Sequence, residues 1–396
     1  MKVLLLENIH PVGVQLLADR GFEIETRPGA LVEDDLIAAL DGISLLGIRS
    51  ATQVTRRVLE AAADLRAVGA FCIGTNQVAL DAATEHGVAV FNAPYSNTRS
   101  VVELAIAEII AMARRLTDHH QRMHAGIWEK SAVGSHEVRG RTLGIVGYGN
   151  IGSQLSVVAE SLGMQVFFYD TVDKLALGNA RRCDSLHELL GTAETISLHV
   201  DGRSANRGFF GEDELSAMRP RSLFLNLSRG FVVDALALKR HLDSGHIAGA
   251  ALDVFSSEPR GNGEPFEHPL RGTPNVILTP HIAGSTLEAQ QNIGSFVAGK
   301  LADYAATGAT VLSVNLPTVQ TGAPAGVRIR HLHQNVPGVL ATINTILAEY
   351  GTNIEHQTLA TRGHVGYVVL DVAGSPGDAV VEALAAMPEA IRVDVT

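Results

Sequence analysis

An apolar strand pattern at residues 142–146 leads directly into the turn Gly-Tyr-Gly-Asn-Ile-Gly, and a helical pattern follows. The glycines stand at Gly147, Gly149 and Gly152, which is the spacing Gly-x-Gly-x-x-Gly. In such a turn the first glycine permits a tight bend, the second lets the backbone approach a pyrophosphate, and the third lets the helix pack closely on the strand. Amide groups at the start of a helix also favour anions. The segment therefore predicts a dinucleotide-binding turn in a parallel α/β sheet.

Asp170 supports the same interpretation and selects the cofactor. It ends the next strand pattern, at residues 165–169. This is about 20 residues beyond the turn, where an acidic side chain binds the ribose hydroxyls. A carboxylate there would repel the 2′-phosphate of NADP, so the sequence predicts NAD. The alternative is that the glycines only close a strand–helix turn and that Asp170 begins an ordinary loop.

Composition narrows the class of partner. The 396 residues carry a formal net charge of −11, which disfavours nucleic acid and acidic membrane surfaces. The two cysteines, Cys72 and Cys183, are too few for a disulfide framework and lie outside any metal-type spacing. No apolar stretch is long enough to span a bilayer. We therefore expect a cytoplasmic protein without a bound metal.

The order of strand and helix patterns predicts three domains. Residues 1–97 alternate short apolar strands with helical segments, as in a flavodoxin-like parallel sheet, and residues 286–316 are expected to return to this substrate-binding domain. Residues 98–285 continue as a doubly wound Rossmann domain of six strands, inserted in the first. A Pro/Gly/Thr-rich linker at 317–326 precedes residues 327–396, whose order βαββαβ is that of a ferredoxin-like domain.

Three ionisable residues, Arg229, Glu258 and His281, stand just beyond the ends of predicted strands. The carboxyl ends of parallel strands share the sheet edge that holds the glycine-rich turn, so we expect the three to converge on the cofactor. The set suits reversible oxidation of a 2-hydroxy acid. His281 would accept the hydroxyl proton, Glu258 would orient the imidazole and raise its pKa, and Arg229 would bind the substrate carboxylate. Asp253, also at a strand end, is a candidate acceptor for the nicotinamide amide.

Each member of this set has an ordinary alternative. Arg229 is then an exposed strand-end cation, Glu258 a solvated loop acid, and His281 a capping residue. Their joint position beside the dinucleotide turn favours the catalytic interpretation. His199 also ends a strand but has no evident partner, and we interpret it as packing beside the cofactor.

Further substrate contacts are expected from residues outside this edge. Arg49 and Ser50 follow a strand, Asn97 lies at the domain junction, and Trp128 and Lys130 follow a long helical pattern. Arginine, lysine and serine donors suit a phosphate in a chain whose net charge is acidic. A solvated surface position is the alternative for the charged ones.

Four segments together carry a family pattern. They are Leu-Gly-Ile-Val-Gly-Tyr-Gly-Asn-Ile-Gly at 143–152, Asn-Leu-Ser-Arg-Gly at 226–230, Asp-Val-Phe-Ser-Ser-Glu-Pro at 253–259 and Thr-Pro-His-Ile-Ala-Gly-Ser-Thr at 279–286. The pattern resembles the D-isomer-specific 2-hydroxyacid dehydrogenases over nearly all of residues 1–316. Residues 327–396 resemble an ACT domain, an amino-acid-binding regulatory module.

The resemblance implies roles for particular residues. The implied catalytic set is Arg229, Glu258 and His281. The implied cofactor contacts are Gly147, Gly149, Asn150, Ile151, Gly152, Asp170, Leu227, Ser228, Arg229, Asp253, His281, Ala283 and Gly284. The implied substrate contacts are Arg49, Ser50 and Asn97, with Trp128 and Lys130 reaching the site from a neighbouring subunit. The implied L-serine contacts are His333, Asn335 and Asn353, shared across paired ACT sheets.

The activity expected from the resemblance is NAD-dependent oxidation of 3-phospho-D-glycerate to 3-phosphooxypyruvate, the first step of L-serine biosynthesis. The expected enzyme is a homotetramer that L-serine inhibits. One alternative is another dehydrogenase of the same family, acting on 2-oxoglutarate, hydroxypyruvate or glyoxylate. The other is a non-catalytic protein that senses NAD.

Overall fold

The computed structural model describes residues 1–259 and 263–396. The chain forms two compact units: unit 1 is Met1–Ser96 with Gln290–Thr396, and unit 2 is Asn97–Ala289. The described residues form sheets of five, seven and four strands. No helix in the described part of the chain is long and apolar enough to cross a membrane. The three-domain division stays a prediction, and each unit is described below by itself.

The amino-terminal residues of unit 1 build a parallel sheet. Its strands are β1 (Lys2–Leu5), β2 (Glu23–Thr26), β3 (Leu45–Ile48), β4 (Ala67–Ala70) and β5 (Ala89–Phe91), and its helices are α1 (Pro11–Asp19), α2 (Glu33–Ala39), α3 (Arg56–Ala61) and α4 (Leu80–Glu85). The order β2-β1-β3-β4-β5 is flavodoxin-like, as predicted. Val3 and Leu5 belong to one apolar cluster and Leu4 and Leu6 to another. Successive side chains of β1 therefore serve two buried faces.

Unit 2 carries the seven-stranded sheet. Its helices are α5 (Thr98–Ala113), α6 (Leu116–His124), α7 (Asn150–Ser161), α8 (Leu186–Thr192), α9 (Glu212–Ala217) and α10 (Ala235–Asp243), with short 3₁₀ helices at Ser204–Asn206 and Gly230–Val232. Its strands are β6 (Thr142–Val146), β7 (Gln165–Tyr169), β8 (Arg181–Arg182), β9 (Thr195–Leu198), β10 (Ser222–Asn226), β11 (Ile247–Leu252) and β12 (Val276–Leu278). The order β12-β11-β10-β9-β6-β7-β8 changes direction between β6 and β9. This confirms the doubly wound Rossmann fold.

Two local features of unit 2 differ from the sequence prediction. A seventh strand, β8, pairs two exposed arginines with Phe167 and Phe168, and it has no apolar pattern because it is the edge strand. The helical pattern over 98–123 predicts one helix, but Arg115 takes a left-handed φ of 51° and separates α5 from α6. The Arg115 guanidinium donates to Asp118 at 2.7 Å, and α6 has no buried residue. Helical periodicity alone does not show such a break.

The carboxyl-terminal residues of unit 1 form an antiparallel sheet after the long helix α11 (Leu287–Thr307). Its strands and helices are β13 (Val327–Gln334), α12 (Val339–Glu349), β14 (Ile354–Arg362), β15 (Val365–Val372), α13 (Asp378–Ala385) and β16 (Ala390–Val395). The order β14-β15-β13-β16 is ferredoxin-like, which confirms the predicted βαββαβ fold. One face of the sheet packs on α12 and α13 through Ile329, Ile343, Val368 and Leu384.

The other face of the antiparallel sheet packs against the remainder of unit 1. Leu332 and Tyr367 share an apolar cluster with Leu301 of α11. The Arg392 guanidinium of β16 donates to the carbonyl oxygen of Leu65 at 2.6 Å. Apolar contact and hydrogen bonds thus join the two sheets of unit 1 into one body.

Candidate active site

The glycine-rich turn joins β6 to α7 with the geometry that its spacing predicts. Gly147 has a φ of 90°, and a Cβ there would lie 2.6 Å from the carbonyl oxygen of His199. A Cβ on Gly152 would overlap the carbonyl oxygen of Gly147, whereas a Cβ on Gly149 would meet no atom. The space in front of the first turn of α7 is therefore open, and the amide groups there lack partners within the helix. These residues fit a pyrophosphate.

Asp170 follows β7 and is tied to this turn. Its Oδ2 accepts the backbone N–H of Tyr148 at 2.8 Å, and its Oδ1 accepts that of Val172 at 2.9 Å. A carboxylate has about four lone-pair sites, so each oxygen retains capacity for a ribose hydroxyl. The structure thus holds a negative charge beside the turn, at the position expected for the ribose contact.

The three predicted catalytic residues follow three neighbouring strands, β10, β11 and β12. His281 Nδ1 lies 2.9 Å from Glu258 Oε2. The backbone N–H of Phe255 donates to Glu258 Oε1 at 3.0 Å, so the carboxylate is held through both oxygens. The charge of Arg229 lowers the pKa values of both Glu258 and His281, so its guanidinium lies within electrostatic range of the pair.

The ionisation of the pair follows from these contacts. The hydrogen bond to Glu258, together with its negative charge, raises the pKa of His281 against the opposing effects of burial and of Arg229. Burial by itself would raise the pKa of Glu258, but hydrogen bonds from His281 and Phe255 and the nearby positive charges lower it overall. The contact therefore favours the ionised form of Glu258 and the protonated form of His281.

Asp253 braces the loop that carries His281. Its side chain is buried, and its Oδ1 accepts the Thr279 hydroxyl at 2.6 Å and the backbone N–H of Ile282 at 2.8 Å. Its Oδ2 accepts the N–H of Ala283 at 2.8 Å. The sequence predicts a nicotinamide contact for Asp253. The structure shows in addition that Asp253 holds the His281 loop in place through hydrogen bonds. A sequence pattern does not reveal this, because two of the partners are backbone groups.

The backbone of Arg229 is fixed by residues on either side. Asn226 Oδ1 accepts the N–H of Ser228 at 3.1 Å, and Asn226 Nδ2 donates to the carbonyl oxygen of Arg229 at 3.0 Å. A Cβ on Gly230 would overlap the backbone of Phe255, so only glycine lets these two loops approach. The guanidinium donates to the Ser228 carbonyl oxygen at 2.7 Å and keeps other N–H groups for a carboxylate. Sequence reasoning missed Asn226, although a polar residue ending a buried strand is a usable signal.

Two further ionisable groups of unit 2, His199 and Glu108, have shifted pKa values. His199 Nε2 lies 2.8 Å from the Ser197 hydroxyl, and burial lowers the pKa of His199 to about 4, so the ring is neutral at neutral pH. Sequence reasoning missed Glu108 on α5. Its side chain is 3% exposed, and neither carboxylate oxygen has a partner among the described residues. Burial, with a contribution from the charge of Asp253, raises the pKa of Glu108 to about 8.

Arg49 and Ser50 begin the loop after β3 in unit 1. The loop is held by Glu7, whose Oε1 accepts the backbone N–H of Arg49 at 3.2 Å and that of Thr52 at 2.9 Å. The Arg49 guanidinium makes no hydrogen bond or ion pair with the described residues, so its donors are available. Sequence reasoning missed Glu7, because a residue pattern does not reveal its left-handed backbone conformation, with a φ of 63°.

The other predicted substrate contacts lie in unit 2. Asn97 packs closely on Gly284, where a Cβ would overlap its Nδ2, and its buried Oδ1 has no partner among the described residues. Trp128 is 79% exposed and Lys130 is exposed. In the described chain no hydrogen bond or ion pair joins either side chain to Arg229, Glu258 and His281. Within a single chain, the side chains of Trp128 and Lys130 are thus available to contact a neighbouring subunit.

The predicted effector contacts lie in the antiparallel sheet of unit 1. His333 is 3% exposed, its Nδ1 lies 2.9 Å from the Gln334 carbonyl oxygen, and its Nε2 has no partner among the described residues. Asn335 follows β13, whereas the exposed Asn353 precedes β14. Because the register pairs Ile354 and Val327 with the same residue of β15, Asn353 lies at the sheet end opposite to His333 and Asn335. One sheet does not bring the three together.

Comparison with known proteins agrees with this arrangement. Residues 106–283 match the NAD-binding domain of the D-isomer-specific 2-hydroxyacid dehydrogenases, and residues 329–392 match the AHAS small subunit-like ACT domain. D-3-phosphoglycerate dehydrogenase of Escherichia coli (strain K12) is 47% identical over 395 residues, covering 99% of this chain and 96% of that protein. D-3-phosphoglycerate dehydrogenase of Dictyostelium discoideum is 44% identical over 396 residues, covering 100% of this chain and 97% of that protein.

A solved structure supports the cofactor. The NAD-dependent formate dehydrogenase from Staphylococcus aureus, in complex with NAD, is 28% identical with a TM-score of 0.66 and covers 77% of this chain and 95% of that chain. The open turn at Gly149, the carboxylate of Asp170 and the family match together confirm NAD as the cofactor. An identity of 47% over almost the whole length establishes that this chain belongs to the D-isomer-specific 2-hydroxyacid dehydrogenase family of NAD-dependent oxidoreductases.

Proposed function

We propose that the chain oxidises 3-phospho-D-glycerate to 3-phosphooxypyruvate with NAD, as the first step of L-serine biosynthesis in the cytoplasm. The hydrogen-bonded pair of His281 and Glu258 beside Arg229 carries the proposal. It combines a base, an orienting carboxylate and a carboxylate-binding cation on one sheet edge. The phosphorylated substrate is supported by D-3-phosphoglycerate dehydrogenases that are 44% and 47% identical over nearly the whole chain.

His281 acts as the base in oxidation. Glu258 holds Nδ1, so Nε2 is the ring nitrogen that takes the hydroxyl proton of the substrate. NAD, when bound, accepts the hydride from C2. The ionised carboxylate of Glu258 stabilises the imidazolium that forms, and in the reverse direction the raised pKa of His281 keeps this proton available.

Arg229 binds the substrate carboxylate and polarises the C2 oxygen. Its backbone is fixed by Asn226 and by the close approach of Gly230 to Phe255, which limits where the guanidinium can lie. A guanidinium donates paired N–H groups to a carboxylate, which a lysine ammonium does not. Arg49 is proposed to bind the substrate phosphate, since its donors are available in a chain of acidic net charge.

L-serine is proposed to bind the ACT sheet and inhibit the enzyme. The buried, unpartnered Nε2 of His333 supports a ligand there, because an unsatisfied buried nitrogen is costly. The separation of Asn353 from His333 and Asn335 supports a site built by two paired sheets, in which each copy supplies one part. β14 is an edge strand and offers its unpaired backbone groups for that pairing.

A homotetramer is proposed from two different surfaces. β14 provides the first. The second is α6 with the segment that follows it, in which α6 has no buried residue and large apolar side chains are exposed. Those side chains are Leu116, Met123, Ile127, Trp128 and Val133. An apolar group of this kind on a protein surface marks an interface, and two distinct two-fold contacts build a closed tetramer.

The first experiment measures initial rates of NADH oxidation with 3-phosphooxypyruvate, 2-oxoglutarate and hydroxypyruvate, each with and without L-serine. Preference for the phosphorylated substrate with loss of rate in L-serine would support both sites. Preference for 3-phosphooxypyruvate with a rate that L-serine does not change would support the proposed activity and contradict the proposed inhibition by L-serine. Preference for 2-oxoglutarate or hydroxypyruvate would contradict the substrate, and no activity on any of them would contradict the enzyme proposal.

A charge-deletion variant tests the phosphate contact directly. Arg49→Gln should raise KM for 3-phosphooxypyruvate about tenfold or more, because a charge-assisted contact is lost. KM for hydroxypyruvate, which has no phosphate, should change little. The control is Arg57→Gln, an exposed arginine of α3 that pairs with Asp34 at 2.7 Å. Equal changes for both substrates would contradict a phosphate contact at Arg49.

A further inference from the structure

A cavity of about 270 Å³ lies in unit 2 at the amino ends of the sheet strands. Its lining includes Thr195 and Ser222, which begin β9 and β10, and Asn275, which directly precedes β12. Arg229 and His281 follow the other ends of β10 and β12. The cavity is therefore on the sheet edge opposite to the cofactor and the catalytic residues.

Two residues of this lining each carry a buried polar atom without a partner in the described chain. Ser222 is 1% exposed and Asn275 is 4% exposed, and the Ser222 Oγ and Asn275 Oδ1 make no hydrogen bond within the described chain. The other end of the same amide is satisfied, since Asn275 Nδ2 donates to the Ala248 carbonyl oxygen at 2.8 Å. A buried polar atom without a partner costs about 1–3 kcal/mol. A ligand that pairs with both atoms would recover this free energy.

The cavity also carries a surplus of positive charge. Four arginines line it: Arg115, Arg141, Arg219 and Arg221. The first is paired with Asp118 and the second with Glu194, which is the acidic residue in the lining. Arg219 donates to a carbonyl oxygen, and the Arg221 guanidinium makes no hydrogen bond or ion pair with the described residues. In a chain with a net charge of −11, two uncompensated arginines at one cavity favour an anion.

The backbone around the cavity is held in a costly conformation. Arg115, Arg221 and Asn275 have left-handed φ values of 51°, 62° and 54°, and they are three of the seven such non-glycine residues in the described chain. His281 is another of the seven. Non-glycine residues rarely adopt this conformation, and those that do concentrate at ligand-binding and active sites.

Much of the remaining lining is apolar. Met112, Met164 and Leu223 contribute to it, and methionine side chains adapt to irregular shapes. We propose that this cavity is a second binding site, which takes a small organic anion, a carboxylate or phosphate. The anionic group pairs with Arg221, the apolar part lies against Met112 and Leu223, and a hydroxyl or amine donates to Asn275 Oδ1. This proposal is independent of the substrate assigned above.

The test uses 3-hydroxybenzoate as a probe, since it has a carboxylate, an apolar ring and a hydroxyl donor. Binding to the full-length protein is measured by isothermal titration in saturating NADH. 3-Hydroxybenzyl alcohol, which has the same ring and hydroxyl without the charge, should bind at least about tenfold more weakly. Inorganic phosphate should compete with 3-hydroxybenzoate, because the proposed site takes either a carboxylate or a phosphate.

Two variants locate the probe. Arg221→Gln removes the uncompensated guanidinium, and Ser222→Ala removes the unpartnered hydroxyl; each should weaken probe binding about tenfold. Because the Ser222 hydroxyl has no partner in the ligand-free protein, Ser222→Ala removes an unsatisfied group and should not lower the unfolding temperature of that protein. The control is Arg182→Gln, an exposed arginine paired with Asp173 outside the cavity.

Three outcomes would overturn the proposal. One is no measurable binding at millimolar probe. Another is equal affinity in Arg221→Gln and in the unchanged protein. The third is loss of binding in Arg229→Gln but not in Arg221→Gln, which would place the probe at the catalytic residues.

Discussion

The imidazole of His281 and the carboxylate of Glu258 lie 2.9 Å apart, Nδ1 to Oε2, although the two residues belong to loops that follow different strands. The contact occupies Nδ1, so in the proposed reaction Nε2 faces the substrate. The same contact raises the pKa of His281 and lowers that of Glu258. Two residues that are 23 positions apart in sequence thus form one hydrogen-bonded pair, which suits the proposed proton transfer.

His281→Ala removes the base. We expect kcat to fall by about two to four orders of magnitude, in line with loss of general acid–base catalysis. The dissociation constant of NADH, measured by fluorescence titration, should change little. A variant that turned over at a near-normal rate would remove His281 from the mechanism.

Glu258→Gln tests the pKa coupling. The carboxylate raises the pKa of His281, so replacing it with a neutral amide should lower that pKa. Reduction needs the protonated imidazole, and its rate should therefore fall off at a lower pH in the variant. Oxidation needs the neutral imidazole, and its acidic limb should move to lower pH as well. The pH profile of kcat/KM in both directions measures these shifts, and unchanged limbs would contradict the coupling.

Asp170→Ala tests the ribose contact. We expect KM for NAD to rise about tenfold or more and the preference for NAD over NADP to narrow, because the repulsion of the 2′-phosphate is removed. Asp170 also accepts the Tyr148 N–H, so the ratio of the two cofactors is the decisive measurement. Asp173→Ala, at a side chain that is 90% exposed, is the control. An unchanged ratio would move the ribose contact elsewhere.

Glu108→Gln tests a buried carboxyl group. The pKa of Glu108 is about 8 in the folded protein against an ordinary 4.5, so folding keeps a proton that the unfolded chain loses between these values. The free energy of unfolding of the wild-type chain should fall relative to Glu108→Gln as pH rises from about 4.5 to about 8, by at least about 2 kcal/mol. Urea unfolding across this pH range measures the difference. The control is Glu103→Gln, at an exposed residue of the same helix, and the wild-type chain should show no such trend relative to this variant. If the free energies of unfolding of the wild-type chain and of Glu108→Gln changed in parallel with pH, the buried proton would be refuted.

His333→Ala tests the effector site. We expect L-serine inhibition to be lost while kcat without L-serine is retained, because His333 belongs to the antiparallel sheet of unit 1, whereas the proposed catalytic residues belong to unit 2. His187→Ala, at an exposed histidine of α8, is the control. Retained inhibition in His333→Ala would place the effector elsewhere.

Features that depend on a few consecutive residues could be predicted from the sequence. The turn at Gly147, Gly149 and Gly152 requires glycine for local steric reasons, and the structure shows the expected close approaches at the first and third positions. The position of Asp170 after β7 follows from the length of one βα unit. The meeting of His281 with Glu258 followed from a rule of parallel sheets rather than from any property of either residue.

Other features could not be predicted, because they depend on how distant segments meet. Arg115 ends α5 through a backbone conformation that leaves its helical pattern unbroken. Glu7 supports the loop of Arg49 from the segment after β1, 42 positions away in sequence.

The sequence by itself determined the sheet types, the glycine-rich turn and the chemical identity of the proposed proton-transfer group, because these follow from hydrophobic periodicity, glycine sterics and side-chain chemistry. Only the tertiary structure decided which buried polar atoms find partners. Asp253 is satisfied by three donors from the His281 loop, while Ser222 Oγ and Asn275 Oδ1 are left unpaired at the opposite edge of the same sheet. Hydrogen bonding is short-ranged and directional, so it is settled by the packing of strands and loops and not by the order of residues along the chain.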